Sequence, residues 1–249
     1  MSAQRPKIIL QNICKSFGKK KVLQNVSLEV FPGESLAIIG GSGVGKSVLI
    51  KIILGLIEPD EGSIVVDGIE VTKLSSSQRE KFITKYGMLF QGGALFDSLK
   101  VWENVSFGLT YQKKMKRVDA KKAAIERLKE VGLDAQILEL YPSELSGGMQ
   151  KRVSLARTIA TSPEIIFFDE PTTGLDPIMS DVISKLIHKS VAHLGATAVT
   201  ISHDISCVEK IADRIAFIHK GSLRWVGNIQ EMKDTKDTYL YKFIHGQSE

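Results

Sequence analysis

The chain of 249 residues is long enough for one to two domains, and its composition (43% hydrophobic, 24% charged, 21 Gly, 7 Pro) excludes collagen-like, coiled-coil and mostly disordered proteins. A formal net charge of +5 suits phosphates, nucleic acid or an anionic membrane surface without choosing among them. Cys14 and Cys207 cannot form a disulfide framework, which fits a reducing compartment, and no apolar run approaches the roughly 18 residues of a spanning helix, so we expect a soluble chain that would need partner chains for any membrane role.

The predicted elements alternate between strands and helices along most of the chain. The first part predicts strands over 7–12, 24–30, 35–39, 64–66 and 88–90 and a helix over 44–56. The rest predicts helices over 119–131, 148–161, 180–193 and near 238–244, and strands over 165–168, 198–202 and 215–218. This alternation favours an α/β fold with a largely parallel sheet, which a helical insertion at about 92–161 would split in sequence.

A glycine-rich loop joins the strand at 35–39 to the helix at 44–56, and it reads Gly40-Gly41-Ser42-Gly43-Val44-Gly45-Lys46-Ser47. It matches G-x-x-x-x-G-K-[ST] in the strand–loop–helix setting that the motif requires. The glycines let several backbone N–H groups face one anion, and the helix N-terminus adds positive potential. We expect Lys46 to reach the β- and γ-phosphates of a nucleotide and Ser47 to hold Mg²⁺. The alternative is a glycine-rich turn that binds nothing.

Polar residues follow three more apolar strands, and ligands of open parallel sheets bind at the carboxyl ends of strands. These residues are Gln91, Asp169 with Glu170, and His203. Asp169 suits Mg²⁺, Glu170 suits polarisation of the attacking water, and His203 suits the γ-phosphate and the orientation of Glu170. A histidine after a strand is more often structural, so the prediction depends on the joint occurrence of these residues. His188 and His193 have no Cys nearby, and no transition-metal site is predicted.

The hexapeptide Leu145-Ser146-Gly147-Gly148-Met149-Gln150 identifies a family. Together with the phosphate loop, Gln91, Asp169 with Glu170, and His203 in this order, it makes the chain resemble an ABC transporter ATPase over nearly its whole length. The resemblance implies a RecA-like P-loop core with an N-terminal antiparallel β-subdomain and an inserted α-helical subdomain. It places the core and β-subdomain at about 1–91 and 162–227, the helical subdomain at about 92–161, and a short tail at about 228–249, all in one ABC ATPase domain.

The resemblance also implies a head-to-tail homodimer with two ATP molecules between the subunits. Phe17 looks like the aromatic that stacks on adenine, although it could be a packed turn residue, and Asp176 looks like the residue that links the two sites. The implied nucleotide-binding residues are Phe17, Gly40, Gly41, Ser42, Gly43, Val44, Gly45, Lys46, Ser47 and Asp169; the catalytic ones are Glu170, His203 and Gln91; the Mg²⁺ ligands are Ser47, Gln91 and Asp169; and the signature acting in trans is Ser146, Gly147, Gly148 and Gln150.

The signature segment also has a physical logic of its own. Ser146 is predicted to cap a helix, and Gly147 with Gly148 would permit close approach of backbone to phosphate. The second subunit is then expected to stabilise γ-phosphate charge through Ser146, backbone N–H groups and the helix dipole. Lys151 and Arg152 could merely form a solvated helical face.

Two segments resemble one subgroup, the ATPases of MCE-type (Mla-like) phospholipid transporters of bacterial envelopes: FQGGALFDSLKVWENV and DEPTTGLDPIMSDVI. The resemblance implies permease subunits, an MCE-domain lipid-binding protein and a peripheral location on the cytoplasmic face of the inner membrane, with no nucleic-acid partner. Some Mla-like ATPases continue into a longer C-terminal tail, so a dimer contact through a tail is in doubt here. A different cargo (amino acid, metal chelate or drug) and a soluble cluster-assembly ATPase remain alternatives.

Two segments of the helical region permit a structural and a functional interpretation. Leu95, Phe96, Val101 and Trp102 follow Gln91 and could be core or could receive a coupling helix from the permease. The basic residues between 113 and 122 could lie near anionic headgroups, but a solvated helix surface is the more ordinary interpretation. They are Lys113, Lys114, Lys116, Arg117, Lys121 and Lys122.

Overall fold

A computed structural model describes residues 5–247, which form two compact units. The first unit comprises the described residues up to Ile83 together with those from Thr197 onward, and the second comprises Thr84–Ala196. The helical subdomain predicted at about 92–161 falls inside the second unit, and its own limits stay a prediction.

The first unit contains most of the strands. They are β1 (Ile8–Phe17), β2 (Lys20–Val30), β3 (Ser35–Ile39), β4 (Glu61–Val66), β5 (Ile69–Glu70), β8 (Thr197–Ser202), β9 (Arg214–His219) and β10 (Ser222–Asn228). Its helices are α1 (Lys46–Ile53), α2 (Ser76–Ile83), α7 (Ile205–Ile211), α8 (Ile229–Lys233) and α9 (Thr238–Ile244). β1, β2, β4 and β5 form an antiparallel sheet in the order β2-β1-β4-β5.

β3 is the strand that leads into the phosphate loop, and it pairs in parallel with both β8 and β9. Ile39 at its end lies opposite Ser202 and Phe217. β10 adds to β9 as an antiparallel strand. Ala37 and Ile39 are fully buried in a cluster with residues of α7, β9, α8 and α9, so burial of apolar side chains fixes this strand and the loop that follows it.

The second unit combines a parallel strand pair with longer helices. Its elements are β6 (Tyr86–Leu89), α3 (Val101–Tyr111), α4 (Arg117–Glu130), α5 (Gly147–Ile159), β7 (Ile165–Asp169) and α6 (Pro177–Leu194). α5 packs against α3, α4, α6 and β6. Four consecutive residues of β7, from Ile165 to Phe168, are at most 1% exposed, which is typical of a strand covered on both faces.

The predicted elements are found with shifted ends, and local chemistry explains several of the limits. The helix predicted over 44–56 begins only at Lys46, because Gly45 has a φ of +106°. α6 begins at Pro177, three residues before the predicted start, because Asp176 caps it and proline is favoured in a first helical turn. The helix at Thr238–Ile244 agrees with the prediction, whereas α2, α7, α8 and β10 were not predicted.

Candidate nucleotide site

The phosphate loop follows β3 and leads into α1 in the first unit. Three of its glycines have positive φ: Gly40 at +152°, Gly43 at +73° and Gly45 at +106°. A Cβ on Gly40 would collide with the carbonyl oxygen of Ile218, and one on Gly45 would lie 2.7 Å from Leu23 Cδ2. Only glycine therefore fits at these two positions. Ser42 and Gly43 form the exposed tip of the loop, where an anion has access.

Lys46 curls back over this loop. Its Nζ donates hydrogen bonds to the carbonyl oxygens of Gly40, at 2.7 Å, and Gly41, at 2.9 Å. The residue is 7% exposed, so the ammonium is held against the loop rather than extended into water. The first turn of α1 contains no acidic residue, which leaves its N-terminus electropositive. Ser47 is the next residue and is half-buried.

His203 and Phe17 also belong to the first unit. His203 follows Ser202, the partner of Ile39 in the parallel pair, so Gly40 and His203 leave the sheet at the same edge. Its side chain is exposed. Phe17 ends β1 and is 49% exposed, with Lys15 Nζ 5.6 Å from its ring centroid. About half of the residue is thus exposed, and stacking on adenine stays a prediction.

Gln91, Asp169 and Glu170 belong to the second unit. Leu89 pairs with Phe168 between parallel strands, so the residues that follow β6 and β7 emerge at one edge. Gln91 is exposed, and Asp169 and Glu170 are half-buried. Glu170 has a φ of +48°, a left-handed conformation that is unfavourable for a glutamate. Thr173 Oγ1 donates to Glu170 Oε2 at 3.2 Å and helps to orient the carboxylate.

The signature segment forms the start of α5, as predicted. Ser146 is the N-cap, and its Oγ accepts from the backbone N–H of Met149 at 3.3 Å. Gly147 has open space where a Cβ would stand, whereas a Cβ on Gly148 would lie 2.6 Å from the terminal methyl of Met179. Ser146 and Gly147 are exposed, so the helix N-terminus is accessible to a ligand.

Gln150 and Asp176 have local contacts that the sequence did not reveal. Gln150 Nε2 donates to the carbonyl oxygens of Pro142, at 2.8 Å, and Leu145, at 3.3 Å, and so fixes the turn before the signature. Asp176 Oδ1 accepts from the backbone N–H groups of Ile178 and Met179, both at 3.0 Å. Both residues therefore shape the backbone, and their roles between subunits stay predictions.

The interpretation of Lys151 and Arg152 as a solvated face is wrong. Lys151 is 7% exposed, and its Nζ donates a hydrogen bond to the carbonyl oxygen of Gln91. Burial lowers the pKa of this ammonium, and the Asp169 carboxylate acts in the opposite direction. Arg152 is half-buried, and its Nη1 donates to the carbonyl oxygen of Gly132 at 3.3 Å. Helical spacing alone could not show that this face meets another segment.

The stretch after Gln91 divides between core and surface. Val101 and Trp102 are buried, Leu95 is half-buried, and Phe96 is 42% exposed. Phe96 borders a groove of about 330 Å³ lined by residues that include Tyr86, Phe90, Phe107 and Arg157. Its ring packs on that of Phe107 at a centroid distance of 4.6 Å. Val101 and Trp102 therefore belong to the core, whereas a contact of Phe96 with a permease stays a prediction.

The basic residues at 113–122 are partly engaged. Arg117 pairs with Glu103 at 2.6 Å, and Lys121 pairs with Glu139 at 2.5 Å. Glu139 also accepts from Lys100, and these two hydrogen bonds lower the pKa of its carboxyl to about 2. Both Arg117 and Lys121 lie over the ring of Trp102. These contacts favour a salt-bridged, solvated helix surface.

Residues 5–247 show neither a metal-binding cluster nor a membrane-spanning helix. Within that range, no three or more His, Cys, Asp and Glu side chains are grouped so that they could hold a metal ion. No helix of that range has both the length and the apolar character needed to cross a membrane.

The glycine-rich loop joins a parallel strand to a helix, and the buried Lys46 begins that helix. This arrangement defines a P-loop nucleotide-binding protein of the α/β class. The family model described as ABC transporter matches residues 23–173. The chain is 36% identical over 242 residues to MlaF of Haemophilus influenzae, an intermembrane phospholipid transport system ATP-binding protein, covering 97% of this chain and 91% of that protein. It is 40% identical over 238 residues to the glutamine transport ATP-binding protein GlnQ of Escherichia coli, covering 95% and 98%.

The fold agrees with solved structures of the same kind. The ATP-binding cassette MJ0796, in a dimeric post-hydrolysis state bound to ADP and Pi, superimposes with a TM-score of 0.82 at 33% identity, covering 89% of this chain and 98% of that one. The chain therefore belongs to the ABC transporter family and is an ATP-binding ATPase of that family. The predicted ABC ATPase fold and ATPase activity are confirmed.

Proposed function

We propose that the chain is the ATP-hydrolysing subunit of a membrane transporter that moves phospholipids in a bacterial envelope. Phospholipid is proposed as the cargo because of the similarity to MlaF of H. influenzae, which spans 97% of this chain and 91% of that protein. In this proposal the chain works as a head-to-tail homodimer at the cytoplasmic face of the inner membrane, with permease subunits and an MCE-domain lipid-binding protein. The dimeric state of MJ0796 supports the homodimer.

The phosphate loop would hold the phosphates of ATP. Lys46 would exchange its two loop carbonyls for phosphate oxygens, and the N–H groups from Gly41 to Ser47 would donate to the same anion. Phe17 would stack on the adenine, which its exposure permits. The residues proposed for this role are those predicted above: Phe17, Gly40, Gly41, Ser42, Gly43, Val44, Gly45, Lys46, Ser47 and Asp169.

The donors proposed for Mg²⁺ are Ser47, Gln91 and Asp169. A hydroxyl, an amide and a carboxylate oxygen are hard ligands that suit this ion, which would neutralise charge on the phosphates when bound. Asp169 ends β7, and the carboxyl ends of parallel strands are where such sheets bind ligands, which supports a ligand role. Glu170 would polarise the attacking water, and His203 would donate to the γ-phosphate. Family membership supports treating these residues as one site.

The second subunit would complete the site with Ser146, Gly147, Gly148 and Gln150. The exposed, serine-capped N-terminus of α5 supports this role, because its N–H groups favour negative charge. Asp176 would link the two sites of the dimer. The domain limits proposed with this function are core and β-subdomain at about 1–91 and 162–227, helical subdomain at about 92–161, and tail at about 228–249.

The groove beside Phe96 would receive the coupling helix of the permease. The groove is partly apolar, and Phe96 and Arg157 offer an exposed ring and a cation at its border. Closure around ATP at Gln91 would then move the permease, because Phe96 lies five residues further along the same segment.

A second candidate is an ABC ATPase for an amino acid. The identity of 40% to GlnQ of E. coli over nearly the full length of both chains favours it. The ATPase mechanism would be unchanged, since cargo is selected by other subunits.

Purification of the tagged chain from detergent-solubilised host membranes, with mass spectrometry of the companions, tests the proposal. A multi-span permease with an MCE-domain protein and phospholipid is the expected result. Recovery of a permease with an amino-acid-binding protein would favour the second candidate, an ABC ATPase for an amino acid. Recovery without any membrane protein would overturn the transporter role.

A further inference from the structure

One face of α5 carries a row of hydrogen-bond donors. Lys151, Ser154, Arg157 and Thr158 are spaced by three, three and one residues, which places them on the same side of a helix. The segment that follows β6 lies against this face. No sequence motif marks these four residues.

Three of these four residues bond the backbone of that segment, whereas Thr158 Oγ1 donates to the carbonyl oxygen of Met88 in β6 at 3.1 Å. Lys151 donates to the carbonyl oxygen of Gln91, and Ser154 Oγ donates to that of Gly93 at 2.9 Å. Arg157 donates from Nη1 to the carbonyl oxygen of Ala94 at 2.8 Å and from Nη2 to that of Gly93 at 3.3 Å. Gln91, Gly93 and Ala94 are thus all held through their main chain.

The attachment is partly buried and its backbone lies close to α5. Lys151 and Ser154 are 7% and 1% exposed, and the hydrogen bond from Ser154 to Gly93 is buried, where it is stronger than an exposed one. Gly93 and Ala94 both have positive φ, at +75° and +48°. A Cβ on Gly93 would lie 2.7 Å from Ser154 Oγ, so the backbone approaches α5 as closely as glycine allows.

We propose that Lys151 is a positioning residue for Gln91, acting through the main-chain carbonyl of that residue. This role rests on the proposed function of Gln91 as a Mg²⁺ ligand and of Ser146 as part of the signature. The N-cap of α5 is Ser146, five residues before Lys151. The hydrogen bond from Lys151 holds the main chain of Gln91, and this in turn limits where the Gln91 side chain can lie.

The alternative is that Lys151 contributes to stability alone. The two roles differ in one readout, the Mg²⁺ concentration that gives half-maximal ATP hydrolysis. A stabilising residue would change the melting temperature and leave this concentration unchanged. A residue that positions Gln91 would change it only while the Gln91 side chain is present.

The test is a double-mutant cycle on the full chain with Lys151→Met and Gln91→Ala, read as ATP hydrolysis against Mg²⁺ concentration. We expect Lys151→Met to raise the half-maximal Mg²⁺ concentration and to lower kcat on the order of 10-fold, since misplacement by about 1 Å has large kinetic effects. In the Gln91→Ala background the same change should have little further effect. Lys151→Arg, which keeps a donor, should restore most of the activity. Lys189→Met is the matched control, because Lys189 is exposed on α6.

Equal effects of Lys151→Met in both backgrounds would overturn the positioning role. If Lys151→Met does not fold, Ser154→Ala takes its place in the cycle, with the same expectation on a smaller scale and the same contradictory outcome. Failure of the proposed nucleotide site would be seen differently, because Lys46→Ala and Glu170→Gln would then keep full ATP hydrolysis. If those two variants are inactive and the cycle is additive, only the role of Lys151 is wrong.

Discussion

Ile39 at the end of β3 and Ser202 at the end of β8 are partners in a parallel strand pair. The next residues along the two strands, Gly40 and His203, therefore begin at the same edge of the sheet. One opens the phosphate loop, and the other is an exposed histidine. This pairing connects two residues that are 163 positions apart in the sequence, and it supports their assignment to one nucleotide.

Replacement of Lys46 by alanine should weaken ATP binding. The variant loses an ammonium that would donate charge-assisted hydrogen bonds to phosphate, each worth about 1.5–3 kcal/mol. Loss of one such bond lowers the affinity roughly 10- to 100-fold. Calorimetric titration with ATP measures the effect, with Lys51→Ala as control because Lys51 is exposed on the same helix. An unchanged affinity would contradict the role of the loop.

Replacement of Glu170 by glutamine should preserve ATP binding and block turnover. The amide has nearly the same shape but cannot polarise the attacking water as a carboxylate does. ATP-bound dimers should accumulate, and size-exclusion chromatography with ATP would detect them. Glu58→Gln makes the same change at an exposed position and should hydrolyse ATP normally. Hydrolysis by Glu170→Gln at the parent rate would remove Glu170 from the mechanism.

Replacement of Phe17 by leucine should weaken ATP binding by about 1–3 kcal/mol, the range for stacking of a base on an aromatic ring. Because Phe17 is 49% exposed, the fold should tolerate the change. Phe17→Tyr keeps the ring and should bind ATP like the parent. Fluorescence titration with a labelled ATP analogue provides the measurement. Equal affinity of the leucine and tyrosine variants would show that the ring does not contact adenine.

Replacement of Asn104 by aspartate should destabilise the second unit. Asn104 is fully buried, and its Nδ2 lies within hydrogen-bond distance of the carbonyl oxygens of Phe96, Leu99 and Lys100. A carboxylate would still accept from the backbone N–H of Phe96, but its second oxygen would face three carbonyl acceptors, at a cost of about 1–3 kcal/mol or more. Thermal unfolding monitored by circular dichroism would show a lower Tm. The exposed change Gln136→Glu is the control, and a matching Tm for both variants would refute this assignment.

The sequence predicted the parts of the molecule whose chemistry is local. The phosphate loop needs a strand, glycines at fixed positions and a helix, all within 35–53, and each was predicted. The helix at the signature was also predicted, because Ser146 and the apolar spacing after it are readable without neighbours.

The sequence could not predict contacts that depend on tertiary packing. Lys151 resembles any lysine on a helix until the segment 91–94 is seen to lie against it. Asn104 gave no signal because its hydrogen bonds reach back to a loop of irregular backbone. β10 was missed because it has few buried side chains and depends on pairing with β9.

Transport by the purified complex tests the phospholipid assignment most directly. The complex isolated through this chain would be placed in liposomes, and movement of a labelled phospholipid would be followed with and without ATP, with labelled glutamine in a parallel assay. We predict ATP-dependent movement of the phospholipid that is lost in the Glu170→Gln variant. ATP-dependent movement of glutamine with a stationary phospholipid would contradict the assignment.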